Sequence, residues 1–310
     1  MKKDYKELGI LIIREKFMKI VGFLFGDKMI NSMLYKLKLK KGFPNFKNPQ
    51  NFSEKLLFLK MYYNNPLMYT CVDKYNVRKY VELCGYKDIL NEVYAVYSSV
   101  DEIDFNDLPE TCFVQMNHMS RFNYILNKND YKQLEHIKKI FKRLFKYNHY
   151  WILRERAYKY VNPKIICSKY LIEDGVDGLT DYKFYCFDGV PKYFMVSYGE
   201  FDHNTKNVKY DMDWNCIDDL FKKNPNLDPK TIKKPKNFDY MVEIATKLSH
   251  GFPHVRIDLY NISGKVIFGE MTFFSSGGFI KVHSDKMNKK IGSWIDLKKV
   301  EVDLSKKIKE

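Results

Sequence analysis

Alternating charged side chains mark two segments that could bind a metal and a phosphate group. The first segment contains Arg256 and Asp258, and the second contains Glu270 and Thr272. Because alternate side chains of a β-strand share a face, Arg256 lies on one face with Asp258, and Glu270 with Thr272. Carboxylates suit Mg²⁺, and a fixed guanidinium stabilises charge on a transferred phosphoryl group. The same pattern also fits a structural ion pair on an exposed hairpin.

The turn between the two segments decides whether their charged faces meet. A three-residue turn at 262–264, with Gly264 in the left-handed conformation, pairs Asn261 with Lys265 and brings Arg256 opposite Glu270. A two-residue turn would put Glu270 on the opposite face. We therefore expect the three-residue turn and a positive φ at Gly264.

A loop of small residues follows the second segment. Ser276, Gly277 and Gly278 could present backbone N–H groups to an anionic substrate. This context favours a binding site over an isolated ion pair.

The composition is that of a basic globular protein. The 310 residues include 53 Lys and Arg against 38 Asp and Glu, for a net charge of +15, and 45% are hydrophobic. This balance excludes a disordered tail or a collagen-like chain, and the length predicts about two domains. The positive charge should attract polyanions such as an acidic polysaccharide, a nucleotide or an anionic lipid.

The cysteines and the first apolar stretch bear on the compartment. The six cysteines are scattered, without a Cys-x-x-Cys pair, which predicts buried free thiols in a reducing compartment rather than a zinc site. Charges at Arg14, Glu15 and Lys16 interrupt the first apolar stretch, so we expect neither a signal peptide nor a spanning helix. The expected location is cytoplasmic.

The hydrophobic pattern predicts an α+β fold whose sheet comes mainly from antiparallel hairpins. A basic helix at 131–147 resembles a nucleic-acid patch, but a solvated face on a buried helix explains it, and we expect no nucleic-acid partner. Three further helices are expected: one capped by Ser53, one at 70–83 and one at 238–249. Strands are expected at 112–116, 164–171, 182–187, 190–198, 254–260 and 265–273.

An N-terminal helix is expected at 9–25, with an apolar stripe of Ile10, Ile13, Phe17, Ile20, Val21 and Leu24. Two alternatives stay open for this stripe. It either packs on the protein's own core or anchors the chain peripherally on anionic lipid at the inner face of a membrane.

Several short motifs follow one another along the chain in a distinctive order and spacing. They are Asn51-Phe52-Ser53-Glu54-Lys55, Val72-Asp73-Lys74-Tyr75, Asn117-His118, Ser168-Lys169-Tyr170-Leu171, Asp181-Tyr182-Lys183-Phe184, Arg256-Ile257-Asp258-Leu259-Tyr260 and Gly269-Glu270-Met271-Thr272-Phe273. In this order they resemble the TupA-like (teichuronopeptide biosynthesis type) ATP-grasp family over roughly residues 43–295. The resemblance implies an ATP-grasp fold, in which two α+β subdomains clamp ATP after an N-terminal helical segment, and a carboxylate–amine ligase that uses ATP and Mg²⁺. Members of the family sit near genes for surface polysaccharides.

The resemblance also implies roles for individual residues. Asp258 and Glu270 would bind Mg²⁺, with Thr272 at the place of a third ligand, and Arg256 would touch the γ-phosphate. Lys74 and Lys183 would contact phosphate oxygens of ATP. The backbone of Lys169, Tyr170 and Leu171 would contact adenine. The implied division is a basic helical segment at 1–50, a helical or α+β part at 51–110, a small subdomain at 111–175, a core subdomain with the metal site at 176–300 and a charged tail at 301–310.

One segment departs from the family pattern. Where the family has a lysine ending a strand and then Asn-His before a Gly-Ser-Gly-Gly loop, this chain has Gln115 and the sequence Met119-Ser120-Arg121-Phe122-Asn123 after Asn117-His118. Gln115 lacks the positive charge, and the bulky residues keep the backbone away from phosphate. Arg121 could replace the lost charge.

The resemblance implies an amide-forming ligase of surface or capsular polysaccharide assembly that works through an acyl phosphate. Its expected partners are an acidic glycan, or a uronic-acid or amino-acid carboxylate, and an amine. Two alternatives stay open. A glycosyltransferase would use Asp211-Met212-Asp213 as its metal pair, and the altered loop would suit a binding module that has lost catalysis.

Overall fold

The computed structural model describes residues 2–175, 178–198, 206–218, 228–282 and 284–300; the charged tail predicted at 301–310 lies outside them. The helices are α1 (Lys2–Leu39), α2 (Phe52–Tyr62), α3 (Pro66–Cys71), α4 (Val77–Leu83), α5 (Tyr131–Leu144), α6 (Tyr150–Leu153), α7 (Phe238–Ser249) and α8 (Asp285–Ser293). The strands are β1 (Val93–Tyr97), β2 (Thr111–Met116), β3 (Tyr124–Asn127), β4 (Ile165–Ser168), β5 (Asp181–Phe187), β6 (Val190–Tyr198), β7 (Lys206–Asp211), β8 (His254–Ile262) and β9 (Lys265–Thr272).

The chain forms two compact units, each assembled from separate stretches of sequence. Unit 1 comprises Met1–Ile30, Leu67–Arg78 and Asn91–Leu171. Unit 2 comprises Asn31–Pro66, Lys79–Leu90 and Ile172–Glu310. Each unit contains an antiparallel sheet, in the orders β1-β4-β2-β3 and β7-β6-β5-β8-β9, which makes the fold α+β as the sequence predicts.

The core of unit 1 lies between its sheet and α5. The apolar side of α5, including Ile137 and Phe141, packs against Val114 and Met116, and all four are almost fully buried. Because side chains alternate along a strand, Gln115 lies on the opposite face of β2, away from α5. The core thereby leaves one face of the sheet for other contacts.

Unit 2 uses the same arrangement with a larger sheet. Helix α7 covers one face, where Phe238 packs against Phe184 and Phe194 at ring distances of 5.8 and 5.0 Å. Lys183 and Asp258 are the sequence neighbours of Phe184 and Ile257. Because side chains alternate along a strand, they lie on the other face. The charged residues of unit 2 thus occupy the face that α7 does not cover.

The β8–β9 hairpin differs from the expected register. Ile262 pairs with Lys265, so the turn has two residues, Ser263 and Gly264, with φ of 51° and 87°. The prediction of a three-residue turn was therefore wrong, whereas the positive φ at Gly264 is confirmed. This pair of positive φ values is typical of a type I′ turn, which matches the twist of the strands.

A β-bulge at Gly269 restores the common face. Leu259 pairs with Phe268, but the next residue, Asp258, pairs with Glu270, so Gly269 is left over. This extra residue reverses the alternation of β9 and returns Glu270 to the side of Asp258. A Cβ atom at position 269 would lie 3.0 Å from the carbonyl oxygen of Asp258, which explains why glycine occupies the bulge.

Two helical predictions near the N-terminus also need correction. The helix expected at 70–83 is split into α3 and α4, because the Asp73 carboxylate accepts the N–H groups of Tyr75 (2.8 Å) and Asn76 (3.1 Å) and folds a turn there. Helix α2 is capped by Asn51 in a capping box with Glu54 rather than by Ser53. The helix at 238–249 is confirmed at both ends.

Helix α1 is longer than expected and does not dock through the predicted stripe. It spans 38 residues, interrupted at Gly26, which has φ 69° and ψ 171°. Ile10, Ile13 and Phe17 are exposed, so the alternative of packing this stripe on the core was wrong. Among the described helices, none has an apolar stretch long enough to cross a bilayer. The cysteines of the described residues form no disulfide, and Cys71, Cys112, Cys167 and Cys186 are buried.

We expect Gly269→Ala to lower the free energy of unfolding by about 1–3 kcal/mol, because the added methyl group meets backbone that cannot yield easily. Urea denaturation measures this change. The matched control is Gly9→Ala in α1, where a Cβ meets no atom within 4 Å and alanine favours the helix. Equal stability of Gly269→Ala and the wild type would contradict the bulge.

Candidate functional site

Arg256 joins the two strands of the β8–β9 hairpin on the face of the unit 2 sheet opposite α7. Its Nε and Nη2 atoms lie 2.6 Å from the two carboxylate oxygens of Asp258, and Nη2 lies 3.1 Å from Oε1 of Glu270. A bidentate pair of this kind fixes the plane of the guanidinium. The predicted site residues on β8 and β9 are therefore in direct contact.

Two hydroxyl groups complete the surroundings of Arg256. Nη2 lies 3.0 Å from Oγ1 of Thr272, which is also 3.0 Å from Oε1 of Glu270, and Nη1 lies 3.2 Å from Oγ of Ser275. Ser275 was not among the predicted site residues. Ser275 begins the small-residue loop, directly before the predicted residue Ser276. That neighbouring position was the sequence feature that could have indicated it.

The electrostatics keep Arg256 charged. Burial alone would lower the pKa of its guanidinium, but the negative charges of Asp258 and Glu270 raise that pKa well above the ordinary value. Arg256 is therefore a permanent cation with a fixed orientation. Such a group can stabilise an anion that approaches this face without having to reorganise first.

Lys183 reaches the same cluster from the neighbouring strand. On β5 it pairs with Asp258 of β8, and its Nζ donates to Oδ2 of Asp258 at 3.3 Å and to the carboxylate of Asp181. Asp181 is buried and was missed as a site residue, although its spacing of two from Lys183 puts both on one strand face. The cluster thus contains two cations and three carboxylates.

This donor set fits a magnesium ion. Mg²⁺ is commonly held by one or two protein carboxylates, with water and substrate phosphate as the other ligands. Asp258 and Glu270 are cross-strand partners, and the excess of one negative charge favours a divalent cation. The described part of the chain holds no group of three or more His, Cys, Asp or Glu side chains arranged as metal ligands, so phosphate would have to complete the coordination.

The small-residue loop after β9 is held by a buried lysine. Ser276, Gly277 and Gly278 have φ of 54°, 68° and 84°, and Nζ of Lys60 donates to the Gly277 carbonyl at 2.6 Å. The N–H of Gly277 donates to the Phe274 carbonyl at 2.7 Å, so it closes a turn and does not face a substrate. The contact of Lys60, on α2, with this loop could not be predicted from the sequence, because 217 residues separate it from Gly277.

In unit 1, a polar hub at Asn117 brings Lys74 close to the end of β2. Nδ2 of the Asn117 side chain donates to Oδ2 of Asp73 at 2.9 Å. The backbone carbonyl of Asn117 accepts the N–H of Lys74 at 3.1 Å. Gln115 lies two residues earlier on β2 and is partly buried. Two predicted nucleotide residues therefore lie on adjoining segments of unit 1.

The segment that the resemblance assigns to adenine follows β4. The N–H of Lys169 donates to the Glu92 carbonyl at 2.9 Å, and the Lys169 carbonyl accepts Nδ2 of Asn91 at 2.9 Å. These bonds fix the backbone at the start of the segment. The Lys169 N–H is already used, which leaves Tyr170 and Leu171 as the better candidates for adenine.

The loop that departs from the family pattern carries an exposed cation and a strained backbone. Arg121 is exposed, and Phe122 has a φ of 61°, a strained value for a bulky residue.

Elsewhere in unit 1, two cations act on His149. Burial, together with the charges of Arg14 and Lys74, lowers the pKa of His149 to about 4. The effect of Arg14 on His149 could not be predicted, because only the fold brings α1 to this imidazole.

The aspartate pair that a glycosyltransferase would need has a structural role. Oδ1 of Asp211 accepts the N–H groups of Asp213 (3.0 Å) and Asn215 (2.8 Å), and Oδ2 accepts Nδ2 of Asn215 at 3.0 Å. The Asp211 carboxylate therefore folds the turn after β7. This observation favours a turn over a metal pair.

A buried histidine adjoins the Arg256 cluster. Nδ1 of His254 lies 2.9 Å from the Cys186 carbonyl, and the ring lies 4.6 Å from that of Phe187. Burial, with the Arg256 charge, lowers the pKa of His254 to about 3. The imidazole is consequently neutral in the folded chain at any moderate pH.

Comparison with known proteins places the chain among ATP-grasp proteins. The family model described as TupA-like ATPgrasp matches residues 54–296. No curated protein matches the chain.

Solved structures of ligases are similar to the chain at low sequence identity. A D-alanine-D-alanine ligase from Helicobacter pylori is 12% identical, with 80% of this chain and 68% of that chain covered and a TM-score of 0.45. One from Bacillus anthracis, complexed with ATP, is 13% identical, with coverage of 66% and 54% and a TM-score of 0.37. The chain spans 54% and 57% of the two Bacillus anthracis ligase structures that it matches.

We expect acid to destabilise the protein partly through His254. In the unfolded chain this imidazole protonates near the ordinary histidine pKa of 6.5, but in the folded chain its pKa is about 3. Between these values the unfolded state binds the extra proton, so stability falls as the pH falls. In His254→Phe, the slope of unfolding free energy between about pH 5 and 6 should be smaller by roughly 1.4 kcal/mol per pH unit.

Urea denaturation at a series of pH values measures both slopes. Above about pH 7.5 the variant and the wild type should show equal slopes, since the imidazole is neutral in both states there. Parallel slopes in the acid range would show that His254 is not buried as described.

Proposed function

Because the chain belongs to the TupA-like ATP-grasp family, we propose that it is an ATP-dependent carboxylate–amine ligase of surface or capsular polysaccharide biosynthesis. One observation carries this proposal. Arg256 is held in a fixed plane by Asp258 and Glu270 on the face of the unit 2 sheet opposite α7, beside Lys183. A permanent cation next to two carboxylates is suited to a metal-bound phosphate chain.

The proposed reaction has two steps. A carboxylate oxygen of the substrate attacks the γ-phosphorus of ATP, and ADP leaves, which gives an acyl phosphate. An amine then attacks the acyl carbon and loses a proton, and inorganic phosphate leaves, which gives an amide. No protein nucleophile is needed, so the protein contributes mainly position and charge.

The chain's own residues have separate roles in this proposal. Arg256 and Lys183 would stabilise the negative charge on the transferred phosphoryl group. Asp258 and Glu270 would hold Mg²⁺, which neutralises phosphate charge when bound, with the Thr272 hydroxyl beside them. Lys74, Gln115 and Arg121 would contact phosphate, and the backbone from Lys169 to Leu171 would contact adenine. Ser276, Gly277 and Gly278 would border the substrate.

The net charge supports an acidic substrate. At +15 the chain attracts a polyanion such as a glycan with uronic acids. A uronic-acid or amino-acid carboxylate is the proposed acceptor of phosphate, and an amino sugar or amino acid would supply the amine.

Hydroxylamine trapping tests the reaction class directly. With ATP, Mg²⁺ and a panel of uronic and amino acids, the first step releases ADP and forms an acyl phosphate. The acyl phosphate then reacts with hydroxylamine to give a hydroxamate and inorganic phosphate. A hydroxamate that requires ATP and one acid of the panel supports the proposal. Titration calorimetry with ATP and with UDP-sugars separates the alternatives, because binding of UDP-sugars alone would favour a glycosyltransferase.

We expect Glu270→Gln to abolish Mg²⁺-dependent ADP formation while leaving the fold intact. Its side chain is 37% exposed, so loss of its charge affects the site more than the packing. Enzyme-coupled detection of ADP and thermal melting measure the two effects. The matched control is Glu82→Gln, at an exposed position on α4, which should keep both properties.

Asp258→Asn should be inactive and also less stable. The Asp258 side chain is 2% exposed and contacts both Arg256 and Lys183. Removing its charge leaves those cations partly unpaired in a buried site, at a cost of about 3–5 kcal/mol. Wild-type activity in both carboxylate variants would refute the assignment of the site.

The altered loop of unit 1 gives a further test of ATP binding. If Arg121 replaces the family lysine, Arg121→Ala should raise the Kd for ATP about tenfold or more, equivalent to roughly 1.4 kcal/mol. Adding Gln115→Lys to that variant should recover part of the loss. Millimolar binding in the wild type that neither change affects would favour the catalytically inactive module.

A further inference from the structure

The outward face of the first part of α1 is apolar. Ile13, Phe17, Ile20 and Leu24 are 70, 62, 62 and 65% exposed, and their spacing of three or four residues places them in one stripe. Phe23, beside the stripe, is 91% exposed. A helix on a protein surface normally turns such a stripe toward the core, and a contiguous exposed one marks an interaction surface.

Polar contacts fix the opposite face of this helix on unit 1. Oδ2 of Asp4 lies 2.7 Å from Nε2 of His136 and accepts the Tyr124 hydroxyl at 3.1 Å. Glu15 is buried and accepts the N–H of Asn148 at 3.1 Å. If the helix rotated about its axis, Asp4 and Glu15 would lose these hydrogen-bond partners.

Close packing further along the helix reinforces this orientation. The guanidinium of Arg154 lies where a Cβ of Gly22 would be and donates to the Met18 carbonyl. Leu8 is completely buried on the same side. The apolar stripe therefore faces outward because the inward side is committed to other contacts.

The charges around the stripe are of one sign. Of the three acidic residues within 2–25, Asp4 and Glu15 make the inward contacts above, and Glu7 is partly buried. The exposed charged residues of the same segment are all basic: Lys2, Lys3, Lys6, Arg14 and Lys16. This surface combines an apolar stripe with positive flanks, which complements the acyl boundary and head groups of an anionic bilayer.

We propose that residues 2–25 form an interfacial anchor that lies flat on an anionic membrane surface. Ile13, Phe17, Ile20 and Leu24 enter the acyl boundary, while Arg14 and Lys16 reach the head groups. A second copy of the chain is a poorer occupant, since two such faces would bring like charges together. The proposal does not depend on the ligase activity.

Flotation of the full chain with lipid vesicles tests the proposal. Vesicles of phosphatidylcholine with about one quarter phosphatidylglycerol should carry the wild type, and pure phosphatidylcholine vesicles should not. Binding should weaken between about 0.1 and 0.5 M NaCl, because salt screens the head-group attraction. The double variant Ile13→Ser/Phe17→Ser should lower the partition coefficient about tenfold or more.

The matched control is Leu83→Ser/Tyr131→Ser, which removes one aliphatic and one aromatic side chain that are each 78% exposed elsewhere; it should bind as the wild type does. Arg14→Gln/Lys16→Gln leaves the apolar stripe intact and should lose binding to anionic vesicles, which keeps the test decisive if the serine variant folds poorly. Absence of wild-type binding, or equal binding to neutral vesicles, would overturn the proposal. So would a dimer in sedimentation that Ile13→Ser/Phe17→Ser dissociates.

Discussion

One extra residue in β9 determines the chemistry that unit 2 can support. A two-residue turn alone would place Glu270 on the face covered by α7, among the apolar side chains. The bulge at Gly269 shifts the pairing so that Asp258 lies opposite Glu270 and Arg256 opposite Thr272. All four side chains then share the face opposite α7, where Asp258 is buried and Glu270 is partly exposed.

The charges of the cluster on that face nearly cancel one another. Arg256 and Lys183 supply two cations, and Asp181, Asp258 and Glu270 supply three carboxylates in contact with them. Buried ion pairs are costly to desolvate, and they are retained where geometry satisfies every partner. Here the network holds Arg256 rigid and leaves one negative charge in excess, a balance that suits a divalent cation with its phosphate.

Some polar side chains within the family motifs position the backbone. Asp73 and Asn117 belong to motifs that resemble the family, yet their contacts are with each other and with nearby backbone. They hold Lys74 beside the end of β2. In the same way, buried Lys60 fixes the loop at Gly277. Such residues shape a site without touching a substrate.

Local patterns along the chain were enough to predict most elements and the residue types of the site. Alternation along 254–260 and 265–273 and the helix at 238–249 predicted the α+β fold, and the order of the motifs indicated the family. Alternation within each strand also placed Arg256 with Asp258 and Glu270 with Thr272. That these two pairs share one face depends on the observed two-residue turn and bulge, which the sequence did not predict.

The face that each element presents could be known only from the folded chain. The bulge at Gly269 arises from a close approach between strands, and the link from Lys60 to Gly277 spans distant parts of the chain. The outward stripe of α1 follows from Asp4, Glu15 and Gly22, whose partners lie more than a hundred residues away. Periodicity shows that a helix has an apolar side, but long-range contacts determine whether that side faces the core or the solvent.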